Sequence, residues 1–292
     1  MTVLRPLREG DVDAVVAIYR EAWGASRPIG AGELRSWLRS SEIDPGSLCV
    51  LEIDERIVGY GDVAVADGVV ALEVAAPDYW DHFLAWAEDT AREANASRVR
   101  VLSYSGDALP HAAASRGYFL WRSNYTMRIE FAATGRPAAS PMPSGVEARQ
   151  YSPDDLDCLR DAINEVFLHD PFFVRLTAER FREDYLHAPG MEPELWMLAW
   201  DGEELAGFAL GFAAWHGLDG AGEVKSVGVR PQWRHRGVGE ALVRSTLVQL
   251  HVHGLQRVML GVDASNETEA VRLYERVGMR IAQQADNWAL DL

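Results

Sequence analysis

The sequence is poor in cysteine and in long apolar runs. Its 292 residues include two cysteines, Cys49 and Cys158, whose separation indicates neither a disulfide framework nor a cysteine metal site. No apolar segment approaches the roughly 20 residues needed to span a bilayer, and the N-terminus lacks the apolar core of a signal peptide. The sequence therefore predicts a cytoplasmic globular protein without a membrane partner.

Positive charge is also scarce. The chain has 28 Lys and Arg residues against 44 Asp and Glu residues, which gives a formal net charge of -16. Binding to nucleic acid requires a basic face that neutralises phosphates, so this balance argues against a nucleic-acid partner. An acidic chain with one small basic pocket is better suited to a compact anionic cofactor and an amine substrate.

The residues that are present follow one order of elements twice. A hydrophobic content of 48% is typical of a chain with a buried core, and the length allows two domains of ordinary size. A segment rich in Ala, Pro, Ser and Gly at 132–145 predicts a linker. The sequence therefore predicts an α/β fold with domains at 1–131 and 146–292, each built on a mixed, mostly antiparallel sheet flanked by helices.

Periodicity and capping residues predict the individual elements. In the first domain we expect helices at 11–19, 32–39 and 81–94, and strands at 4–7, 48–53, 57–65, 69–75, 99–102 and 125–131. In the second we expect helices at 156–167, 176–186, 239–253 and 267–277, and strands at 146–149, 195–199, 204–212, 223–229, 258–262 and 288–290.

A basic glycine-containing turn, Arg234–Gly239, lies between an apolar strand and a long helix. Glycine lets the backbone approach a ligand closely, and the first turn of a helix has unpaired amide N–H groups. Arg234 and Arg236 add positive charge, so the segment predicts an anion site. A solvated corner between strand and helix is the alternative that this motif alone leaves open.

The first domain contains a shorter form of the same corner. Seven positions separate Pro77 from Leu84, whereas eleven separate Pro231 from Leu242. The four missing positions fall in the glycine turn. We therefore expect the first copy to have kept the scaffold and lost the anion site.

Motif spacing distinguishes three candidate anion loops. A Walker loop needs a Lys-Ser or Lys-Thr pair after its last glycine, which is missing here, and a dinucleotide-binding loop needs glycine where Leu242 stands. The spacing of Arg234, Gly237 and Gly239 fits a third pattern, Arg/Gln-x-x-Gly-x-Gly/Ala. With this motif the chain resembles the GNAT superfamily of acyl-CoA-dependent N-acetyltransferases.

A second segment extends the resemblance. Residues 266–270, 273–276 and 278–279 are similar to the second motif of that family, with Met279 at a position where Phe is more usual. The tandem arrangement with a degenerate first copy resembles the two-domain members of the family. The resemblance implies acetyl-CoA as co-substrate, held by its pyrophosphate at the turn and by its pantetheine arm along the preceding strand. The implied cofactor-binding residues are Val227, Val229, Arg234, His235, Arg236, Gly237, Val238, Gly239, Glu240 and Asn266.

Two residues acquire catalytic roles through the resemblance. Tyr274 would be the general acid that protonates the CoA thiolate, because a phenol of pKa ~10 stays protonated at neutral pH. Glu223 would be the general base that removes a proton from the incoming ammonium. Their structural alternatives are a core tyrosine and an exposed carboxylate at a strand end, and Asn266 has the alternative of a helix cap. The first copy has Ala113 where Tyr274 stands.

Four residues after the first helix of the second domain are candidates for the acceptor site, or else ordinary loop and packing residues: His169, Asp170, Phe172 and Phe173. No histidine has partners at metal-ligand spacing, so we predict no metal. No cysteine or activated serine lies near the motifs, which favours direct acetyl transfer without a covalent intermediate. The expected substrate is the primary amine of a small molecule; a peptide N-acetyltransferase and a non-enzymatic acyl-CoA sensor are the alternatives.

Overall fold

The computed structural model describes residues 2–23, 29–41, 43–76, 78–104, 108–168, 170, 173–187, 191–215, 218–264 and 270–292. The chain divides into two compact units. The first unit comprises Met1–Tyr125, Asp263–Ser265 and Gln283–Leu292, and the second comprises Thr126–Val262 and Asn266–Ala282. These boundaries differ from the predicted 1–131 and 146–292, because the C-terminal strand belongs to the first unit.

The first unit is an α/β structure. Its strands are β1 (Thr2–Pro6), β2 (Leu48–Ile53), β3 (Arg56–Ala66), β4 (Val69–Ala75), β5 (Arg98–Tyr104) and the first part of β6 (Phe119–Glu130). Its helices are α1 (Val12–Trp23), α2 (Ala31–Arg39), α3 (Trp80–Glu93) and α4 (Leu109–Ser115).

The second unit has the same kind of architecture. It begins with the end of β6 and a single helical turn, α5 (Phe131–Thr134). Its strands are β7 (Glu147–Gln150), β8 (Trp196–Asp201), β9 (Glu204–Phe212), β10 (Ala221–Val229) and β11 (Arg257–Asp263). Its helices are α6 (Leu156–Val166), α7 (Ala178–Phe181, continued by a π turn to Leu186), α8 (Val238–Val252) and α9 (Ala270–Arg276). The last strand, β12 (Arg280–Asp291), starts in this unit and continues in the first.

Strand pairing confirms the predicted mixed, mostly antiparallel sheets. The order in the first unit is β1-β2-β3-β4-β5-β12-β6, with β4 and β5 parallel and the pairs β1–β2, β2–β3, β3–β4 and β5–β12 antiparallel. The order in the second unit is β6-β11-β10-β9-β8-β7, with β10 and β11 parallel and the pairs from β10 to β7 antiparallel.

Helices cover both faces of each sheet. In the first unit, α3 packs over an apolar face that includes Val70, Leu72 and Val74, and α1 and α2 cover the face that includes Tyr60. In the second unit, α6 and α7 pack over a face that includes Phe208. The start of α8 packs on the opposite face. Alternating apolar side chains in each strand supply both layers.

Each unit contains the same arginine–aspartate contact near its first strand. Arg5 donates to both carboxylate oxygens of Asp11 at 2.7 and 3.0 Å, and Arg149 donates to both oxygens of Asp155 at 2.7 Å. In each unit the backbone amide three residues before the aspartate also donates to it, at 2.9 and 2.8 Å. The recurrence of the same local geometry at the start of both units indicates a structural repeat.

Several elements differ from the sequence predictions, including the helical turn α5, which lies mostly within the predicted linker. The short helix α4 was not predicted, β6 starts at Phe119 instead of residue 125, and β12 spans Arg280–Asp291 instead of 288–290. The register of β12 with β5 runs from Ala285 opposite Tyr104 to Asp291 opposite Arg98. Pairing with a distant strand therefore sets the length of β12, which its own polar sequence does not indicate.

Candidate functional site

The strand β10 changes partners along its length. It pairs with β11 from Ala221 to Glu223, and with β9 from Glu223 to Val229. Both neighbouring strands are fully described, and beyond Glu223 β10 has no register partner in β11. An edge of backbone is thereby left on this side of 226–229, where an extended ligand could pair as an added strand does.

A Cβ built at Gly222 shows which way the first part of β10 faces. That atom would lie 2.4 Å from Leu255 Cδ1 and 3.5 Å from Leu250 Cδ2, near the C-terminal end of α8. Neighbouring residues of a strand point to opposite faces. The side chain of Glu223 therefore points to the face covered by α6.

A bulge reverses the alternation further along. The register with β9 shifts between Val224 and Ser226, and a Cβ at Gly228 would lie 2.4 Å from Phe208 Cζ, on the α6 face. Val227 and Val229 accordingly pack with the α8 cluster. Because of the bulge, Glu223 lies on the α6 face of the strand while Val227 and Val229 pack on the α8 face.

Glu223 combines burial with a cationic neighbour. Its side chain is 17% exposed, and the ammonium of Lys225, the only lysine of the chain, lies 3.8 Å from Oε2. Burial raises the pKa of the Glu223 carboxyl, and Lys225 opposes this shift without cancelling it. A carboxylate with a raised pKa is a stronger base than an exposed glutamate.

The connection from β10 to α8 forms a concave backbone. His235 and Gly237 both have left-handed conformations, with φ of 58° and 88°, and Gly237 is the N-cap of α8. Left-handed residues alternating with others turn successive amide N–H groups into one concavity, which suits an anion. The unpaired amides and the dipole of the α8 N-terminus add to this preference.

The two glycines of the turn have different roles. A Cβ at Gly237 would meet nothing within 4 Å, so glycine is required there for its backbone conformation. A Cβ at Gly239 would lie 3.2 Å from Leu273 Cδ1 and 3.4 Å from Val229 Cγ2. Gly239 therefore allows α8, α9 and β10 to pack closely, and the contact of its backbone with a cofactor stays a prediction.

Two long-range contacts fix the segment that leads from β10 into the turn. Arg230 Nε donates to Glu165 Oε2 at 2.6 Å, which ties the end of β10 to α6. The indole of Trp233 donates to Asp201 Oδ2 at 2.8 Å. These supports were missed by sequence analysis, because 65 and 32 positions separate the partners and no local spacing connects them.

The predicted arginines of the turn are used differently from each other. Arg234 Nε donates to the carbonyl of Val229 at 3.0 Å, so its guanidinium shapes the turn from within. Arg236 is 42% exposed and lies 3.9 Å from Asp201. Arg236 is thus the arginine of the motif that is placed to meet a ligand from solvent.

The first turn of α8 can offer its amides to an anion, whereas its side chains have other partners. Val238 is 1% exposed and belongs to the core. The carboxylate of Glu240 accepts from Arg244 and from Arg276, each at 3.0 Å. These arginine contacts hold the pKa of Glu240 below its usual range.

Tyr274 lies on α9, the helix that packs against the turn through Leu273. Its side chain is 8% exposed, and burial raises the pKa of the phenol to about 12. Its carbonyl accepts from the Met279 amide at 3.0 Å, just as Ala113 accepts from Tyr118 at 3.0 Å in the first unit. The structure therefore places Ala113 at the position equivalent to Tyr274.

The same comparison locates the counterpart of Glu223. The carbonyls of Gly220 and Gly68 each accept from the amide preceding the next strand, at 2.8 Å, and both glycines have positive φ. Three residues later the second unit has Glu223 and the first has Ala71. The connection that follows is eight residues long at 230–237 and four at 76–79. The first unit therefore has a shorter corner, and alanine at both positions.

The structure describes some of the other predicted residues and not the rest. His169, Phe172, Asn266 and Pro77 lie outside the described residues. Asp170 accepts from the amide of Phe173 at 3.0 Å, and the Phe173 ring packs 5.7 Å from that of Phe167. Of the described candidate acceptor residues, Phe173 thus packs against the core of the second unit.

The described residues contain no group of three or more His, Cys, Asp or Glu side chains that could hold a metal ion. None of their helices is both long and apolar enough to cross a membrane.

Comparison with known proteins identifies relatives over the whole chain. The model of the "Acetyltransferase (GNAT) family" matches residues 160–279. The mycothiol acetyltransferase of Streptomyces scabiei is 34% identical, over 91% of this chain and 87% of that protein. Those of Streptomyces avermitilis and Thermobispora bispora are 33% and 30% identical, over 94% and 100% of this chain and 90% and 99% of their own lengths.

Solved structures confirm the tandem fold. A GCN5-related N-acetyltransferase from Sphaerobacter thermophilus has a TM-score of 0.80 at 24% identity, covering 99% of this chain and 95% of that chain. A tandem GNAT protein from the clavulanic acid biosynthesis pathway has a TM-score of 0.69 at 16% identity, covering 100% and 98%. The resemblance indicated by the two sequence motifs is confirmed.

Proposed function

Because the chain belongs to the GNAT family of acetyltransferases, we propose that its second unit transfers an acetyl group from acetyl-CoA to the primary amine of a small molecule. The observation that carries the proposal is the left-handed backbone conformation of His235 and Gly237. These residues immediately precede α8 and lie beside the edge of β10 that has no partner in β11. One end of this arrangement suits a pyrophosphate and the other an extended pantetheine arm.

In the proposed cofactor complex, amides between Arg234 and Glu240 hold the pyrophosphate and Arg236 adds charge from the solvent side. The backbone at Val227 and Val229 pairs with the pantetheine arm. Arg234 acts indirectly, through its hydrogen bond to the Val229 carbonyl. Asn266 remains a proposed contact to the arm, since family resemblance supports it and the described residues do not include it.

Glu223 acts as the proposed general base. The acceptor enters as an ammonium, and Glu223 takes one proton from it, directly or through a water molecule. The neutral amine then attacks the thioester carbonyl, because only its lone pair can form the new C–N bond. Burial of Glu223 and its raised pKa support this assignment.

Tyr274 acts as the proposed general acid. Collapse of the tetrahedral adduct breaks the C–S bond and leaves CoA as a thiolate, which takes the phenolic proton. The nitrogen of the adduct gives up its remaining extra proton as the amide forms, and this proton restores the phenol. With a pKa of about 12 the phenol is fully protonated at neutral pH and can donate to the developing thiolate. The step needs no covalent acetyl-enzyme.

The relatives suggest the class of acceptor. They are named for mycothiol, and the chain covers nearly their whole length. We therefore infer a small-molecule amine related to their substrate. The net charge of -16 is consistent with attraction of a cationic acceptor.

A panel of amines tests the proposal. The full chain is incubated with acetyl-CoA and, separately, with mycothiol-related amines, simple amino sugars and N-terminal peptides, and release of the CoA thiol is measured. We expect turnover with a small-molecule amine. Turnover with peptides alone would overturn the small-molecule assignment and indicate a peptide N-acetyltransferase. Binding of CoA without turnover of any amine would indicate a sensor.

A further inference from the structure

A group of arginines lies beside the proposed cofactor turn. Arg272 and Arg276 are one helical turn apart on α9, and Arg280 begins β12. Together with Glu275 these three arginines line an open cavity of about 560 Å³. Arg244 reaches the same region from α8, since its Nη2 donates to the carbonyl of Arg276 at 2.9 Å.

The group is positively charged within an acidic chain. Among the described residues, Glu275 lines the cavity with these arginines and Glu240 pairs with two of the group. Glu240 is bound by Arg244 and Arg276, while one terminal nitrogen of Arg280 donates to two backbone carbonyls at 3.3 and 2.8 Å. A guanidinium has five N–H donors, so these contacts use only part of the donor capacity of Arg276 and Arg280.

The location connects the group to the cofactor turn. Glu240, the partner of Arg276, is three residues beyond Gly237, which is about 4.5 Å along the axis of α8. In CoA a single ribose joins the pyrophosphate to the 3′-phosphate. A molecule with its pyrophosphate on the turn therefore has its second anionic group within one sugar of it.

We propose that Arg272, Arg276 and Arg280 bind the 3′-phosphate of CoA and so make the enzyme selective for CoA over its 3′-dephosphorylated form. This inference rests on the proposed use of acetyl-CoA. A terminal phosphate monoester carries a charge of about -1.5 to -2 at neutral pH and three acceptor oxygens. Planar guanidinium groups match such an acceptor better than a single amine does.

Calorimetric titration of the full chain tests the inference without an acceptor. Wild-type protein should bind CoA about tenfold more tightly than 3′-dephospho-CoA, the size expected of one charge-assisted contact. The double variant R272Q/R280Q should lose that difference by weakening CoA binding alone. Arg128→Gln changes an exposed arginine of the same unit that pairs with Glu130, and should leave both affinities unchanged.

The outcomes separate this inference from the proposed function. Equal wild-type affinities for the two ligands, or an equal loss of both in the folded double variant, would overturn the phosphate contact while leaving acetyl-CoA as the co-substrate. Failure of wild-type protein to bind either ligand would overturn both. Thermal melting of each variant shows whether a loss reflects unfolding.

Discussion

At the scale of single residues, the second unit buries two ionisable groups where the first has alanines. Glu223 corresponds to Ala71, and Tyr274 corresponds to Ala113. Burying a carboxylate or a hydroxyl costs free energy that an alanine does not. Since the same scaffold forms with alanine at both places, packing does not require these groups, and we attribute them to chemistry.

Replacement of Glu223 by glutamine should stabilise the protein at neutral pH. The folded-state pKa of Glu223 lies above the ordinary value of 4.5. Its ionised form therefore destabilises the fold above the folded-state pKa, and this cost disappears as the pH falls below about 4.5. Melting temperatures across this range should show a gain for E223Q near neutral pH that vanishes in acid.

Replacement of Lys225 by glutamine should change the melting temperature in the opposite direction to E223Q. Loss of the ammonium 3.8 Å away removes the group that lowers the pKa of Glu223. The variant should therefore melt below wild type at neutral pH. Identical melting curves for all three proteins at every pH would show that Glu223 carries no buried charge.

At the scale of elements, the two units differ in the corner between β10 and α8, which is the proposed cofactor site of the second unit. Its left-handed residues, its helix N-terminus and its two long-range anchors all lie in the eight-residue connection or contact it. The corresponding connection of the first unit has four residues. This difference in length is the structural basis for assigning the proposed cofactor site to the second unit alone.

Gly237→Ala should separate the conformational role of this glycine from its effect on stability. Gly254, at the other end of α8, offers a matched control, because both glycines have positive φ and open space around a built Cβ. Alanine in a left-handed conformation should cost about 1–2 kcal/mol at either position. Only Gly237→Ala should also weaken CoA binding, by about tenfold or more; an equal effect of Gly254→Ala on CoA affinity would contradict the assignment.

Local signals made this element predictable, and their absence explains the failures elsewhere. The helix expected at 239–253 is found at Val238–Val252, because glycine, charge and apolar spacing are all adjacent in sequence. In contrast, 283–287 has the polar sequence Gln-Gln-Ala-Asp-Asn and becomes a strand through its neighbours in the sheet. The anchors Glu165 and Asp201 were likewise invisible, since only folding brings them to the turn.

At the scale of the whole molecule, the sequence repeat and the compact units are not the same division. The repeat suggests a break between residues 132 and 145, whereas residues 126–131 belong to the second unit and 283–292 to the first. Trp288 and Leu290 pack against the core of the first unit. The chain therefore completes its first unit only when its last residues are in place.

Deletion of 283–292 should consequently destabilise the first unit. The deletion removes the partner strand of β5 and the contacts of Trp288 and Leu290. Both side chains are partly buried, so each contributes less than the roughly 1.5–3 kcal/mol of a fully buried large apolar side chain. Hydrogen exchange should accelerate in β5. Deletion of Asp291 and Leu292 alone serves as the control and should leave most of this protection; unchanged exchange after the longer deletion would contradict the assignment of β12.

The second unit is proposed to transfer acetyl groups with Tyr274 as the acid, and the rate of CoA thiol release by Tyr274→Phe measures this role. With the best amine of the panel, kcat should fall by about 100-fold or more, while the affinity for CoA stays at the wild-type value. Tyr118→Phe, which alters a buried tyrosine of the first unit, should keep a wild-type kcat. A Tyr274→Phe variant that retained the wild-type rate would show that Tyr274 is not the general acid.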